Sequence, residues 1–231
     1  EHVLRAGEIA QRTPKGPTYL AVSTETLMDE WTAPESPRTV PPAPRTQTVR
    51  EDIERMADQI IGAKNPVVFT EAAGREVETY EALVQLCELL ALPLIEKPDA
   101  LFANFPKAHP LHQGHDIKQY WDDMDLALVI RTRVPWYPPS KRPPNAKVAI
   151  IDEQPHRTTM VYQSLQADMY LEGSAAKTLQ DLADAIKVRG VDKKAIENRR
   201  SKLARSHDEL MAKKAVLYQE ARKKTPVDPV W

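Results

Sequence analysis

A single cysteine, Cys87, stands among 231 residues. That excludes an intramolecular disulfide and sets a reducing, cytoplasmic compartment as the expectation. Glycine is also scarce, with seven against twenty prolines. Glycine-rich phosphate loops cannot be numerous, and the spacing G-x-G-x-x-G occurs nowhere. No apolar run approaches the roughly 20 residues that span a bilayer, and no signal peptide is visible. Neither sign of charge dominates: 32 Lys and Arg against 33 Asp and Glu give a net charge of −1. A nucleic-acid or membrane-surface footprint is therefore missing. What is present is 42% hydrophobic and 28% charged residues, the balance of an ordinary globular chain. The length suffices for one large domain, or one domain with extensions.

Residues 62–96 organise the rest. Val67, Val68 and Phe69 behind Pro66 predict a buried strand. A polar turn from Thr70 to Arg75 carries one glycine, Gly74. Tyr80, Leu83, Val84, Leu86, Cys87, Leu90 and Leu92 then recur at helical spacing, and Pro93 ends the helix. Cys87 lies on this apolar stripe and is expected to be a buried, inert thiol. Leu94 and Ile95 start a second strand, completing a βαβ unit with a right-handed crossover.

Upstream, Val3 to Ala10 predict a helix tail, Thr18 to Val22 a strand, and Glu25 to Trp31 a weak helix. The apolar strand favours the end of a preceding domain over a decorated amino terminus. Residues 32–48 hold five prolines and form the expected linker. Thr48 is placed to cap a helix over Val49–Ile61, with Ile53, Met56, Ala57, Ile60 and Ile61 facing the core. Downstream, strands are predicted at 125–130, 147–151 and 167–171. Ser174 caps a helix through Ile186, and a polar helix covers 192–224. Ile196, Leu203, Leu210 and Leu217 repeat every seven residues there, thinner than a coiled-coil seam. A solvated helix lying along the domain is favoured over a dimerising coil.

Alternating strands and helices over 49–188 define an α/β domain with a mostly parallel sheet. A ligand then belongs at the carboxyl ends of the strands: 70–74, 96–98, 131–134 and 152–156. Thr70, Glu71 and Gly74 sit where a dinucleotide fingerprint would fall, without its first two glycines. The following helix start could hold an anion, which Glu71 would oppose. Asp152 and Glu153 are candidates for ribose hydroxyls, or ordinary strand-end acids. Arg131 and Arg133 could meet a phosphate, or water. These six, Thr70, Glu71, Gly74, Arg131, Asp152 and Glu153, are the nucleotide-binding candidates. His109, His112 and His115 have a metal-like spacing, but Pro110 and Gly114 break any shared helical face. No metal site and no catalytic set is assigned.

The ordered motifs resemble the central part of the thiamine-diphosphate-dependent enzymes related to acetolactate synthase. GPTYLAV at 16–22 is similar to the last strand of their pyrimidine-binding domain. AKNPVVF at 63–69 is similar to the opening strand of their central domain, and NFPKAHPLHQG at 104–114 to its middle loop. DLALVIRTRVPW at 125–136 and AKVAIIDEQPH at 146–156 resemble its later strands, and TPVDPVW at 225–231 the approach to the diphosphate-binding domain. The resemblance implies a Rossmann-like, doubly wound parallel sheet of about six strands with helices on both faces. It implies four parts: the end of a pyrimidine-binding domain (1–31), a linker (32–48), the central domain (49–190) and a helical linker (191–231). It also implies thiamine diphosphate and Mg2+ in a parent enzyme acting on 2-keto acids, a dimer or tetramer, with neither held by this stretch, which lacks a Gly-Asp-Gly motif. Some relatives bind FAD or an adenine nucleotide in the central domain. Thr70-Glu71-Ala72-Ala73 in place of a glycine-rich turn speaks against FAD here. An autonomous FAD- or ADP-binding module is the alternative.

Overall fold

The computed structural model describes residues 1–13, 15–32, 39–100, 102–138, 140–156 and 166–226. The chain divides into two compact units, Glu1–Thr46 and Gln47–Trp231. The first holds helices α1 (His2–Gln11) and α2 (Thr24–Met28). Ser23 caps α2 by accepting the Thr26 N–H, and Thr18 Oγ1 donates to Ala6 O at 3.2 Å. The predicted strand over Thr18–Val22 does not form, and Tyr19 is 94% exposed. A strand needs a neighbour's hydrogen-bond ladder, and the described residues of this unit contain no other strand. Of the linker, 33–38 lie outside the described residues, and 39–48 carry no helix or strand.

The second unit opens with α3 (Arg50–Gly62) and continues through β1 (Pro66–Thr70), α4 (Val77–Leu90) and β2 (Leu94–Glu96). Then come β3 (Leu126–Ile130), β4 (Lys147–Asp152), β5 (Met169–Glu172), α5 (Ala175–Arg189) and α6 (Lys193–Ala221). The five strands form one parallel sheet in the order β2-β1-β3-β4-β5. Five strands stand against the six or so expected. The sixth position is taken by a bridge at Leu94 and His112. There Leu94 N–H donates to Leu111 O at 2.9 Å, and Gln113 N–H to Leu94 O at 2.8 Å. Pro110, which has no N–H, and left-handed Gly114 confine this pairing to a few residues.

β1 and β3 are buried along their whole length, as continuous apolar strands covered on both faces should be. Val68, Leu94, Leu128, Ile130 and Ile151 face one layer with core residues of α3, α4 and α5. Val67, Phe69, Val129, Val148 and Ile150 face the other, where Met124, Trp121 and Trp136 cover the sheet together with the 3-10 turn Lys118–Tyr120. Helical cover is thus on both faces but unequal. α4 carries the chain from β1 towards one edge, and the 131–146 connection carries it towards the other, on the opposite face. Right-handed crossovers require that split.

The α3 core face is Ile53, Met56, Ala57 and Ile60, while Ile61 is 37% exposed. Thr48 does not cap α3. Val49 holds the cap position, and Thr48 Oγ1 instead donates to Glu172 O at 3.2 Å and shares a 2.9 Å bond with Thr178 Oγ1. The linker's end is thereby tied to β5 and α5. Ser174 caps α5 as expected, and Cys87 is fully buried, with its thiol pKa raised by burial. α6 starts on an Asp192 cap. Its first half lies along the domain, with Leu203 and His207 buried, while Leu217 is 60% exposed. Arg199 donates to Leu90 O and Lys64 O, both at 3.1 Å, neutralising carbonyls at two helix ends. No helix among the described residues is long and apolar enough to cross a membrane.

Candidate functional site

A parallel sheet ordered 2-1-3-4-5 has its switch point between β1 and β3, where adjoining connections leave on opposite faces. Thr70 and Arg131 mark that point, since Thr70 pairs with Ile130. Glu71, Thr132, Asp152 and Glu153 adjoin them. The side chains at this end bind one another.

Arg131 holds a left-handed backbone, φ 46°, which an L-residue with a long side chain adopts only when its surroundings over-determine it. Its guanidinium is 6% exposed and faces two acids. Nε donates to Glu153 Oε2 at 2.9 Å, and Nη2 donates to Glu76 Oε2 at 3.0 Å and to Glu153 Oε1. Burial pulls the Arg131 pKa down, but the Glu153 hydrogen bond and the charges of Glu153, Glu76 and Asp152 outweigh it, and the net shift is upward. Glu153 Oε1 also accepts the Ala175 N–H at 3.0 Å, at the amino terminus of α5. Asp152 is buried, and its Oδ1 accepts the Gln154 N–H at 2.9 Å.

The neighbouring acid, Glu71, accepts from Arg133 at the backbone N–H (2.9 Å) and at Nε (2.6 Å). It therefore does not project into the crevice as a free charge. Thr132 Oγ1 donates to Phe69 O at 3.3 Å and Ile130 O at 3.0 Å, stitching the ends of β1 and β3. Gly74 is next to Asn104, whose Oδ1 accepts the Gly74 N–H at 2.9 Å. A Cβ on Gly74 would stand 1.9 Å from Ala103 O, so glycine is needed there for a crossing of backbones. Asn104 Nδ2 donates to Glu71 O (2.9 Å), Glu96 Oε1 (2.8 Å) and Phe102 O (2.9 Å). Sequence reasoning missed Asn104, Glu76 and Glu96. Their roles come from long-range contacts that no local spacing encodes, although Asn104 does open the NFPKAHP motif.

The histidines part company. His109 Nε2 lies 3.2 Å from Glu88 at the surface. His112 is fully buried, its Nε2 3.2 Å from Glu96 Oε2, with Lys107 paired to the same carboxylate. His115 Nδ1 lies 2.8 Å from Glu96 O. No group of three or more His, Cys, Asp or Glu among the described residues could hold a metal ion. From α6, His207 Nδ1 donates to His112 O at 2.7 Å, so this cluster joins β2, the 104–115 segment and α6.

A pH prediction arises here. Burial, reinforced by Lys107, Lys214, His115 and His207, pushes the His112 pKa from 6.5 down to about 3. His115 shifts in the same direction, again mainly by burial. The unfolded chain then takes the protons first, so the stabilisation is complete above pH 6.5 and is lost as pH falls towards 3. His112 alone should account for about 2 kcal/mol between pH 6.5 and 5, at 1.36 kcal/mol per unit. Urea titrations across that interval measure it, and His112→Asn should flatten the slope.

A groove of about 530 Å³ lies at the other end of the sheet, lined by Ile60, Lys64, Asn65, Leu90, Ile196 and Arg199. Fold and site together define a Rossmann-like, doubly wound parallel α/β domain, with its switch crevice occupied by the chain's own charges.

Residues 53–182, more than half the chain, match the family described as thiamine pyrophosphate enzyme, central domain, and the chain belongs to that family. Solved structures share the fold. Benzoylformate decarboxylase from Polynucleobacter necessarius superposes with a TM-score of 0.67 at 21% identity. An enzyme from Mycobacterium smegmatis described as thiamin diphosphate-dependent gives 0.65 at 23%. The thiamine diphosphate-dependent 4-hydroxybenzoylformate decarboxylase of Rhodococcus jostii RHA1 gives 0.54 at 20%. Each match covers 80% of this chain but only 36% of the other protein.

Proposed function

We propose that this chain is a non-catalytic central domain of a thiamine-diphosphate-dependent carboligase or decarboxylase of 2-keto acids, of the acetolactate-synthase-like kind. Its task is to scaffold flanking domains and a dimeric or tetrameric assembly in the cytoplasm. On this reading 1–31 closes a pyrimidine-binding domain, 32–48 links, 49–190 is the central domain, and 191–231 leads to a diphosphate-binding domain. The supporting observation is the filled crevice. Glu71, Glu96 and Glu153 lie at the strand ends and Glu76 at the start of α4, and they are matched by Arg131, Arg133 and Lys107. The residues present do not fit thiamine diphosphate: a diphosphate would meet these carboxylates at close range, with no ligand cluster for its magnesium among the described residues.

One observation favours the alternative, an FAD- or ADP-binding module built on Thr70, Glu71, Gly74, Arg131, Asp152 and Glu153. Thr70 Oγ1 and Arg131 Nη1 are buried at the switch point with no hydrogen-bond partner among the described residues. Four competing carboxylates outweigh those two atoms, because each would have to be protonated or moved to admit a phosphate. Calorimetric titration of the chain with thiamine diphosphate and Mg2+ tests the main reading. No saturable heat is expected at millimolar cofactor, and stoichiometric, magnesium-dependent binding would overturn it.

A further inference from the structure

The Glu153 carboxylate occupies a place with the features of an anion site. α5 is fifteen residues long, and its first N–H, from Ala175, donates to Glu153 Oε1 at 3.0 Å. Helix amino termini favour negative charge because their first N–H groups are unpaired and the dipole is positive there. Independently, Arg131 presents a planar fork to the same carboxylate from the end of β3, with Nε at 2.9 Å from Oε2 and Nη2 on Oε1. Its remaining Nη1 is buried and, among the described residues, has no acceptor. The guanidinium itself is 6% exposed and cannot swing into water without dismantling the Glu76 contact. Two donors of unrelated origin thus converge on one planar oxyanion in a desolvated setting, where charge-assisted bonds are strongest.

We infer that Arg131 and the amino terminus of α5 form a built oxyanion site for a planar carboxylate, and that Glu153 is its intramolecular occupant. The inference rests on the closed-crevice reading above and adds what closes it: one carboxylate on a short tether, present at high effective concentration. Truncating Glu153 removes the tethered ion and leaves room for formate or acetate. The fork geometry favours these planar anions over tetrahedral phosphate.

The test is thermal unfolding of the full chain and of Glu153→Ala in sodium formate, acetate, phosphate and chloride at matched ionic strength. The variant should melt below the parent in chloride. Formate should raise its melting temperature saturably, by about 4 °C at tenfold the dissociation constant. The parent should not respond, and neither should Arg131→Ala/Glu153→Ala. If Glu153→Ala does not fold in chloride, refolding in formate replaces the melting curve, and recovery in formate alone supports the site. Equal melting in all four salts, equal rescue of the double variant, or no refolding in either salt overturns it. A stronger response to phosphate than to formate overturns the planar-carboxylate assignment. None of these results bears on the thiamine diphosphate titration, so the two readings fail separately.

Discussion

Arg131→Ala should destabilise the second unit by about 3–5 kcal/mol, the usual consequence of removing one partner from a buried charge pair. The cause is not the lost attraction alone. Glu153, 6% exposed, would keep a desolvated carboxylate with, among the described residues, the Ala175 N–H left to answer it. Glu76 would lose its cation as well, but at 35% exposure it can recover water. Removing the side chain also leaves alanine in the left-handed backbone at φ 46°, held there by the backbone bonds to Ile151 O and from Ala72 N–H without the arginine's contacts to offset the strain. Arg131→Lys should recover only part of the loss, because an ammonium cannot reproduce the two-pronged contact. Removing both partners should cost less than the two single changes summed, since no lone buried charge then remains. Urea unfolding of the parent, Arg131→Ala, Arg131→Lys, Glu153→Ala and the double alanine variant measures this. Additivity within about 0.5 kcal/mol would mean that the pair is not coupled as described.

Gly74→Ala should cost about 4 kcal/mol or more, by a different mechanism. Gly74 does not have a positive φ, so the backbone itself would accept alanine. The obstacle is the 103–104 crossing, where the new methyl would stand 1.9 Å from Ala103 O and 2.6 Å from Ala103 C. Both are backbone atoms, and the crossing cannot retreat without breaking the Asn104 bonds to Gly74 N–H, Glu71 O and Glu96. Losses of this size are confined to mechanisms such as core overpacking and broken buried networks. A change below about 1 kcal/mol in the free energy of unfolding would show that the crossing is loose.

These two residues show how sequence and structure divide the problem. The strands, the α4 and α5 helices and the Ser174 cap were legible because each depends on neighbours within a few residues. Val67 to Phe69 and Leu126 to Ile130 are apolar runs with no other use than burial on both faces. The candidate site was legible as a place, because strand ends follow once strands are known. Its chemistry was not. Glu71 seemed to threaten an anion, yet Arg133, three residues beyond the end of a neighbouring strand in the folded sheet, absorbs it. Gly74 stands where a dinucleotide fingerprint would fall, and its need for glycine comes from the close backbone crossing at Ala103, which no local spacing shows. Thr48 looked like a helix cap and is bound instead to Glu172 and Thr178, more than a hundred residues away. The Thr18–Val22 run failed because apolar alternation predicts a strand only where a neighbour exists to pair with it.

On the proposed reading this α/β domain keeps its switch crevice closed with its own charges. Isothermal titration of the unmodified chain with ADP and with FAD tests it most directly. The account predicts no saturable heat at millimolar ligand, with the Arg131–Glu153 pair intact. Binding of either nucleotide near one per chain, abolished by Arg131→Ala, would contradict it and make the crevice a working nucleotide site.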